Sequence, residues 1–325
     1  MGRIKLFSLE AGADLAQRVA GLLGEPLAAH EERDFTDGEH KLRPLEDVEA
    51  ADVYLLQSLY TDRPGGTGGS VDDKLVRLLF FLAALRDAGA ARVTAVIPYL
   101  CYARKDRRTK LHDPLSSRYL ASLLEAMGCD CVVTVDVHNL AAFENAFRCR
   151  TLHLPARPLF VDFAARLLAG ESRQLVVVSP DVGGVKRAEA FRADLAQRLG
   201  RDVGQAFVEK YRSGGELSGG TLVGRVEDCC ALVIDDLIAG GGTTGRAAAA
   251  LDRAGAARIL ALASHGQFAG DALEQLGRAP LELVAVTDTL PQLDADRLHV
   301  IECAPLLAEA IRRLHEGGPA TELGL

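Results

Sequence analysis

Short apolar runs of strand type alternate with longer stretches of helical periodicity along the chain. The runs at 52–58, 92–98, 131–136, 175–179, 204–208, 230–235, 258–263, 282–287 and 298–301 read as strands. The periodic stretches at 12–23, 71–88, 114–127, 158–169, 183–199, 243–254, 269–276 and 305–315 read as helices. This alternation predicts α/β architecture with largely parallel sheets flanked by helices. Strands buried on both faces of such a sheet are apolar without interruption, as Leu175-Val176-Val177-Val178 is.

One piece of the pattern occurs twice. Residues 85–96 read Leu-Arg-Asp-Ala-Gly-Ala-Ala-Arg-Val-Thr-Ala-Val, and residues 251–262 read Leu-Asp-Arg-Ala-Gly-Ala-Ala-Arg-Ile-Leu-Ala-Leu. In each copy a helix ends at Ala-Gly, where glycine suits a left-handed C-cap, and a strand starts at the arginine. Upstream, each has an apolar strand, a Gly-rich loop (63–70 or 240–245) and a helix. Two related α/β halves follow, in a chain whose 325 residues are many for one core. Pro155 and Pro158 punctuate the junction. The expected domains are 1–155 and 156–325, with the last helix free to pack back on the first.

The balance of 48% apolar and 25% charged residues is that of an ordinary globular protein. A net charge of −8 gives no reason to expect nucleic-acid binding, so the basic cluster Arg104, Lys105, Arg107, Arg108 and Lys110 is read as meeting a small polyanion or as a solvated face. No run reaches the roughly 18 apolar residues of a membrane span, and the first residues lack a signal-peptide core. The seven cysteines are odd in number and contain no Cys-x-x-Cys pair. Reduced, mostly buried thiols in a cytoplasmic protein away from membranes are expected.

The most informative stretch is 231–244, where an apolar run ends in Asp235 and Asp236 and leads through Ala239, Gly240, Gly241, Gly242 and Thr243 into a helix. Paired acids can accept from vicinal hydroxyls or hold Mg2+, and a Gly/Thr loop at a helix start can cradle phosphate. The plain alternative is an ordinary strand–turn–helix connection. In the first half Gln57 and Ser58 stand where the acids would be, so the sugar-phosphate site is placed in the second.

Other polar residues stand where strands end, which is where open α/β sheets bind ligands. His138 follows the strand 131–136 and suits a metal or phosphate, or a structural role. Asp181 follows the strand 175–179 and suits Mg2+, an N-cap, or both. After the strand 204–208 the chain turns Gly/Ser-rich, and Lys210 and Arg212 alternate so that extended chain points both to one face. A mobile loop with two cations fits a lid over a transferring phosphate; the alternative is a solvated hairpin. At 33–39, Phe35 could stack on a base while Asp37 and Glu39 accept from its amino group, although Asp-Gly is also a common turn.

In this order the segments resemble the ribose-phosphate pyrophosphokinase (PRPP synthetase) family. The resemblance rests on Asp-Phe-Thr-Asp-Gly-Glu at 34–39, Val-Thr-Ala-Val-Ile-Pro-Tyr-x-x-Tyr-Ala-Arg-x-Asp at 93–106 and Asp-Val-His at 136–138. Val-Ser-Pro-Asp-Val-Gly-Gly-Val-Lys-Arg at 178–187, Lys-x-Arg at 210–212, Asp-Asp at 235–236 with Gly-Thr at 242–243, and Ser-His-Gly at 264–266 complete it. It covers essentially the whole chain and implies two phosphoribosyltransferase-like domains, the first on the ATP side and the second binding ribose 5-phosphate.

The implied reaction moves the β,γ-diphosphoryl group of ATP to the anomeric hydroxyl of ribose 5-phosphate, giving PRPP and AMP for nucleotide biosynthesis. Phe35, Asp37 and Glu39 would bind adenine from a neighbouring subunit, which implies a homo-oligomer, dimer-based or hexameric. Arg104 and Lys105 would contact ATP, and His138 and Asp181 would hold Mg2+ and the ATP phosphates. Lys210 and Arg212 would close over the transferring group. Arg212, Asp235, Asp236 and the loop Ala239, Gly240, Gly241, Gly242 and Thr243 would bind ribose 5-phosphate. Three places depart from the family pattern: Ala239-Gly240, where it carries Asp-Thr, the Gly-rich 62–70 and the segment 110–114. The first admits the reading of a catalytically silent nucleotide-binding homologue that regulates an active synthetase; a PRPP-consuming phosphoribosyltransferase is a third reading, against which the segment 33–39 and the duplicated halves argue.

Overall fold

Parallel strands paired in two separate sheets carry the architecture. The structure is a computed structural model that describes residues 2–62, 69–213 and 216–318, and of 210–213 and 216–220 the backbone alone. The chain divides into two compact units, Met1–Pro155 with Cys303–Leu325, and Ala156–Glu302. Elements are numbered along the chain.

In the first unit the strands are β1 (Ile4–Ser8), β4 (Asp52–Leu56), β5 (Arg92–Val96), β6 (Cys131–Val135) and β7 (Arg150–Leu154), paired in that order and all parallel. Its helices are α1 (Ala13–Leu23), α2 (Val71–Asp87), α3 (Ser116–Ala126), α4 (Leu140–Ala146) and, returning from the end of the chain, α9 (Ala304–Glu316). Every residue of β4 and β6 is buried, as a parallel strand covered on both faces requires. Phe7 of β1 meets Phe81 of α2 edge to face at 5.5 Å inside this core.

A hairpin of β2 (His30–Asp34) and β3 (His40–Pro44) forms its own two-stranded sheet. Its sequence, His-Glu-Glu-Arg-Asp, has no apolar alternation, and cross-strand charge pairs join it instead. Glu31 meets Lys41 at 3.3 Å and also Arg43, and Arg77 of α2 meets Glu32 at 3.2 Å and also Asp34.

The second unit orders its sheet β10 (Glu216–Val223), β9 (Val203–Ser213), β8 (Leu175–Ser179), β11 (Cys230–Ile238), β12 (Arg258–Gly266), β13 (Leu283–Thr287) and β14 (Leu298–Ile301). Only β10, at the edge, is antiparallel. Its helices are α5 (Arg157–Leu167), α6 (Val185–Leu199), α7 (Gly242–Arg253) and α8 (Ala272–Arg278). Strand order reverses between β8 and β11, the position where open α/β sheets form a ligand crevice.

The internal repeat is structural. From β1 onward the first sheet runs β1-β4-β5-β6-β7, and from β8 onward the second runs β8-β11-β12-β13-β14. In each half a hairpin follows the first of these strands. In the second it extends the sheet as β9–β10; in the first it stands apart as β2–β3. Both repeated helix ends close on a left-handed glycine, Gly89 at φ +89° and Gly255 at φ +83°. The α/β reading with largely parallel sheets therefore holds.

Two boundaries differ from the reading of the sequence. β11 does not stop at Asp235 but runs on through Leu237 and Ile238, because two apolar residues beyond the acids keep the pairing with β12. The segment after 208 is not a loop: β9 continues to Ser213 and pairs with β10, Lys210 opposite Gly220 and Arg212 opposite Leu217. A register shift between Leu217 and Gly220 accommodates the glycines there.

Candidate active site

β11 pairs with β8 only from Cys230 to Val233, whereas its pairing with β12 continues to Ile238 opposite Gly266. Asp235 and Asp236 thus lie in the strand but past its last contact with β8, on the open side of the switch point. Asp236 is buried, and its N–H donates to Asp235 Oδ1 at 2.9 Å. From the first turn of α6, Arg187 Nη1 donates to Asp236 Oδ1 at 3.2 Å and stands 3.8 Å from Asp235 Oδ1. Burial, then the hydrogen bond and like charge of Asp236, raise the pKa of Asp235, and Arg187 opposes them. One proton is therefore held between the two acids over a wider pH range than a carboxyl normally keeps one.

The loop after β11 is anchored from below. Ile238 O accepts from Gln267 N at 3.0 Å and Phe268 N at 3.2 Å, and Ala239 O accepts from Ala269 N at 2.8 Å. Gly241 is left-handed, at φ +73°, and a Cβ there would stand 3.2 Å from Ala272 O and Leu276 Cγ, so only glycine fits. Gly240, by contrast, has nothing within 4 Å of where a Cβ would stand. Helix α7 starts at Gly242 with no side-chain cap, so its first-turn N–H groups face outward as anion donors. Thr244 is buried, Arg246 Nη2 donates to Thr243 Oγ1 at 3.4 Å, and Arg246 adds a cation at the loop.

Among the described residues the first half shows no such seat. Ser70 and Asp73 form a complete capping box at the start of α2. Lys74, only 1% exposed, pairs with Asp62 at 2.9 Å, donates to Gly69 O at 3.1 Å and lies 4.4 Å from the Tyr60 ring centre. The donors that α7 presents are matched in α2 by the protein's own side chains. Most of the Gly-rich first loop, 63–68, lies outside the described residues.

Asp181, at the end of β8, caps the short 3-10 turn Val182–Gly184, its Oδ1 accepting from Gly184 N at 3.2 Å. Lys210 and Arg212 lie on β9, beside β8. Among the described residues no three His, Cys, Asp or Glu side chains are grouped to hold a metal ion.

In the first unit His138 is exposed in the turn between β6 and α4. That turn is fixed by Asn139, whose Oδ1 accepts from Ala142 N at 3.2 Å and whose Nδ2 donates to Asp106 Oδ2 at 2.7 Å. The loops after β5 and β6 are so joined. Asp136, before the turn, is left-handed at φ +34° and lies 3.4 Å from His153. Arg104 is exposed and makes no ion pair among the described residues. Lys105 is engaged: its Nζ meets Asp113 Oδ2 at 2.6 Å, and the same oxygen accepts from the N–H groups of Thr109 and Lys110 at 2.9 Å each. The Lys105 ammonium, then the Thr109 donors, hold the Asp113 carboxyl far below the usual range. Phe35 is 39% exposed at the tip of the β2–β3 hairpin, under the Arg33 guanidinium. Asp37 Oδ1 accepts from Glu39 N at 3.1 Å and shapes that turn.

Arg187 and Arg246 carry site geometry that sequence patterning does not single out. Both look like solvated cations in the first turns of helices, and only the fold puts one beside the acid pair and the other over the loop.

A doubly wound sheet with an acid pair past its switch point and an uncapped helix behind a glycine loop is the phosphoribosyltransferase-like class of α/β protein. Residues 4–128 match the family model of the N-terminal domain of ribose phosphate pyrophosphokinase, and residues 215–323 match that of the phosphoribosyl synthetase-associated domain. The chain belongs to the ribose-phosphate pyrophosphokinase family. It is 36% identical to the ribose-phosphate pyrophosphokinase of Caldanaerobacter subterraneus over 98% of this chain and 97% of that one. With the Aquifex aeolicus enzyme of the same name it shares 34% over 99% of each. The crystal structure of phosphoribosylpyrophosphate synthetase from Mycobacterium smegmatis superposes with a TM-score of 0.87 at 33% identity, covering 97% of this chain and 100% of that one.

Proposed function

We propose that this chain is a ribose-phosphate diphosphokinase: it transfers the β,γ-diphosphoryl group of ATP to the anomeric hydroxyl of ribose 5-phosphate and releases AMP. The observation that carries the reading is the pairing of two adjacent acids, half-buried Asp235 and buried Asp236, with an uncapped helix start at Gly242. Vicinal hydroxyls donate to the acids, and the 5-phosphate takes the N–H groups of 240–243. Burial leaves these carboxylates short of water, so two hydroxyl donors gain strongly by entering.

In the reaction the anomeric oxygen forms a bond to the β-phosphorus, and the bond from that phosphorus to the oxygen bridging it to the α-phosphorus breaks. Such a step needs alignment and charge neutralisation more than covalent help. Lys210 and Arg212 neutralise the moving diphosphoryl group. Arg104 contacts the nucleotide, and Lys105 does so once its bond to Asp113 is exchanged for phosphate. His138 and Asp181 would hold Mg2+, which supplies charge neutralisation on the ATP phosphates when bound. Mg2+ characteristically takes one or two protein ligands and completes its shell with water and phosphate, and the single strand-end carboxylate of Asp181 suits that habit.

The unit that works is a homo-oligomer, dimer-based or hexameric, in which Phe35, Asp37 and Glu39 read adenine in a neighbouring subunit. The exposure of Phe35 on a hairpin that joins neither sheet supports this. A reducing, cytoplasmic setting fits seven cysteines that are all free. No helix among the described residues is long and apolar enough to cross a membrane.

The test is to mix the purified protein with ATP, Mg2+ and a panel of pentose phosphates and to follow AMP. Ribose 5-phosphate should give AMP and PRPP in equal amounts. No AMP with any member of the panel would end the enzyme reading.

A further inference from the structure

A cavity of about 220 Å³ opens between α8 and the first residues of β13 and β14 in the Ala156–Glu302 unit. Its walls are Phe268, Leu273, Leu276, Leu281, Val284 and Leu298. Apolar cavities of about 150 Å³ stay dry and accept benzene, so this one has room for a ring with a short substituent. Gly277 contributes no side chain to its wall.

Two non-glycine residues frame it in left-handed backbone, Phe268 at φ +46° and Arg297 at φ +61°. Such conformations persist only where surrounding structure fixes them, and they concentrate at binding sites. Arg297 stands at the mouth. Its Nη1 donates to Leu281 O at 3.1 Å, and its Nε is 3.8 Å from the exposed carboxylate of Asp296. Nη2 has no hydrogen-bond partner among the described residues. Asp296 also lines the mouth, but its carboxylate is turned out to solvent, so Arg297 Nη2 remains a cationic donor for an apolar body that carries a negative charge.

The chamber shares its back wall with the loop 239–243. Phe268 N donates to Ile238 O at 3.2 Å, and Leu276 Cγ lies 3.2 Å from the Cβ position of Gly241. Whatever packs on Phe268 and Leu276 therefore presses on the floor of that loop.

We propose that this cavity binds a small carboxylate with a single-ring or branched apolar body, its carboxylate on Arg297, and that occupancy holds the backbone at 238–242 in place. The fit is chemical at both ends: ring against leucines, carboxylate against a guanidinium able to bond it in two places. Binding at this cavity does not depend on the diphosphokinase reading, so the two can fail separately.

The probe is 3-phenylpropanoate titrated into the full chain by calorimetry, beside 3-phenylpropan-1-ol and phenethylamine. Saturable binding at one site per chain is expected, with the alcohol and the amine weaker by about tenfold or more, the worth of a charge-assisted hydrogen bond. Gly277→Phe should abolish binding. Gly277 lines the cavity, and a Cβ at that position meets nothing within 4 Å. Leu273→Trp fills it from another wall and gives the same result by a separate route. Arg297→Asn, which left-handed backbone tolerates, should cost about tenfold and Arg297→Lys less. Amide hydrogen exchange at 238–242 should slow with the carboxylate in the wild type and not in Gly277→Phe. The proposal is overturned if 3-phenylpropanoate shows no saturable binding, if both cavity-filling variants fold and bind it unchanged, or if the amine binds as well as the acid. Unchanged exchange at 238–242 in the saturated protein overturns the link to the loop.

Discussion

Arg187 Nη1 donates to Asp236 Oδ1 at 3.2 Å, joining the first turns of α6 to β11 across the switch point. The guanidinium favours the charged form of Asp235 through space. Arg187→Leu should therefore weaken both acids as hydroxyl acceptors and lower kcat/KM for ribose 5-phosphate by about 30-fold, the equivalent of roughly 2 kcal/mol. Arg187→Lys keeps charge but loses the planar fork and should fall between. Steady-state kinetics at saturating ATP measure this, and a Leu variant within twofold of wild type would remove Arg187 from the site.

The same acid pair sets a pH dependence in the ligand-free protein. The pKa of Asp235 is raised in the folded state, chiefly by burial. Above the ordinary carboxylate value of 3.8 the folded state thus binds more protons than the unfolded state at this site, and its contribution to stability declines as pH rises toward the folded value. Asp235→Asn should flatten this part of the stability profile and stabilise the ligand-free protein at about pH 8 while destroying activity. Urea unfolding of both proteins across that range decides it; parallel profiles would contradict the assignment.

Lys210 lies on the β9 strand, paired through the backbone with Gly220. If its ammonium acts on charge that develops only during transfer, Lys210→Ala should lower kcat by about 100-fold and leave ATP affinity within about twofold. Single-turnover rates beside equilibrium ATP binding separate the two quantities. Equal losses in both would make Lys210 a ground-state ATP ligand instead.

Legibility in the sequence followed apolar patterning. The strands β8, β11, β12 and β13 and the repeated helix ends are written in mostly apolar Val, Leu and Ala runs and in Ala-Gly pairs, and the structure has them, whereas β10 lies in a Gly/Ser-rich segment that reads as a loop. The hairpin β2–β3 is written in charge pairs such as Glu31 with Lys41, which leave no period to detect. β11 reads as ending at Asp235 because two charges interrupt an apolar run that in fact resumes at Leu237. Lys105 reads as an exposed cation, although Asp113, eight positions on in an aperiodic loop, engages it. Arg187 closes the segment 178–187 but nothing there marks its role, which comes from the crossing of α6 and β11.

The last helix is held on the first unit by a buried carboxylate. Asp52, 4% exposed, accepts from Arg92 Nε at 2.7 Å, Tyr54 Oη at 3.0 Å and His315 Nδ1 at 2.7 Å, and Arg92 Nη2 donates to Leu314 O at 3.0 Å. Removing the carboxylate strands three donors at once. Asp52→Ala should cost about 3 kcal/mol, as breaking a buried pair does. His315→Leu removes one hydrogen bond from the α9 end alone and should cost about 1 kcal/mol. Chemical denaturation gives both values, and an Asp52→Ala protein as stable as wild type would show that the network carries no net stability.

Ala239 and Gly240 mark where this chain departs from the pattern of the family it belongs to, Asp-Thr. Gly240 has open space where a Cβ would stand, and Ala239 O is held by Ala269 N through the backbone alone. A side chain at 240 can therefore be restored without a clash at its Cβ. A restored carboxylate adds an acceptor beside the sugar, and a restored hydroxyl adds a donor beside the phosphate. If the wild-type loop is tuned to ribose 5-phosphate through its N–H groups alone, Ala239→Asp/Gly240→Thr should lower KM for ribose 5-phosphate by about tenfold, one added hydrogen bond to a charged group, with kcat little changed. If the loop is instead shaped for a bulkier or differently hydroxylated pentose phosphate, the restored pair should raise activity on ribose 5-phosphate and abolish it on that other sugar. The panel of pentose phosphates run on both proteins distinguishes the two outcomes, and identical specificity and KM in the double variant would show that these positions do not touch the sugar.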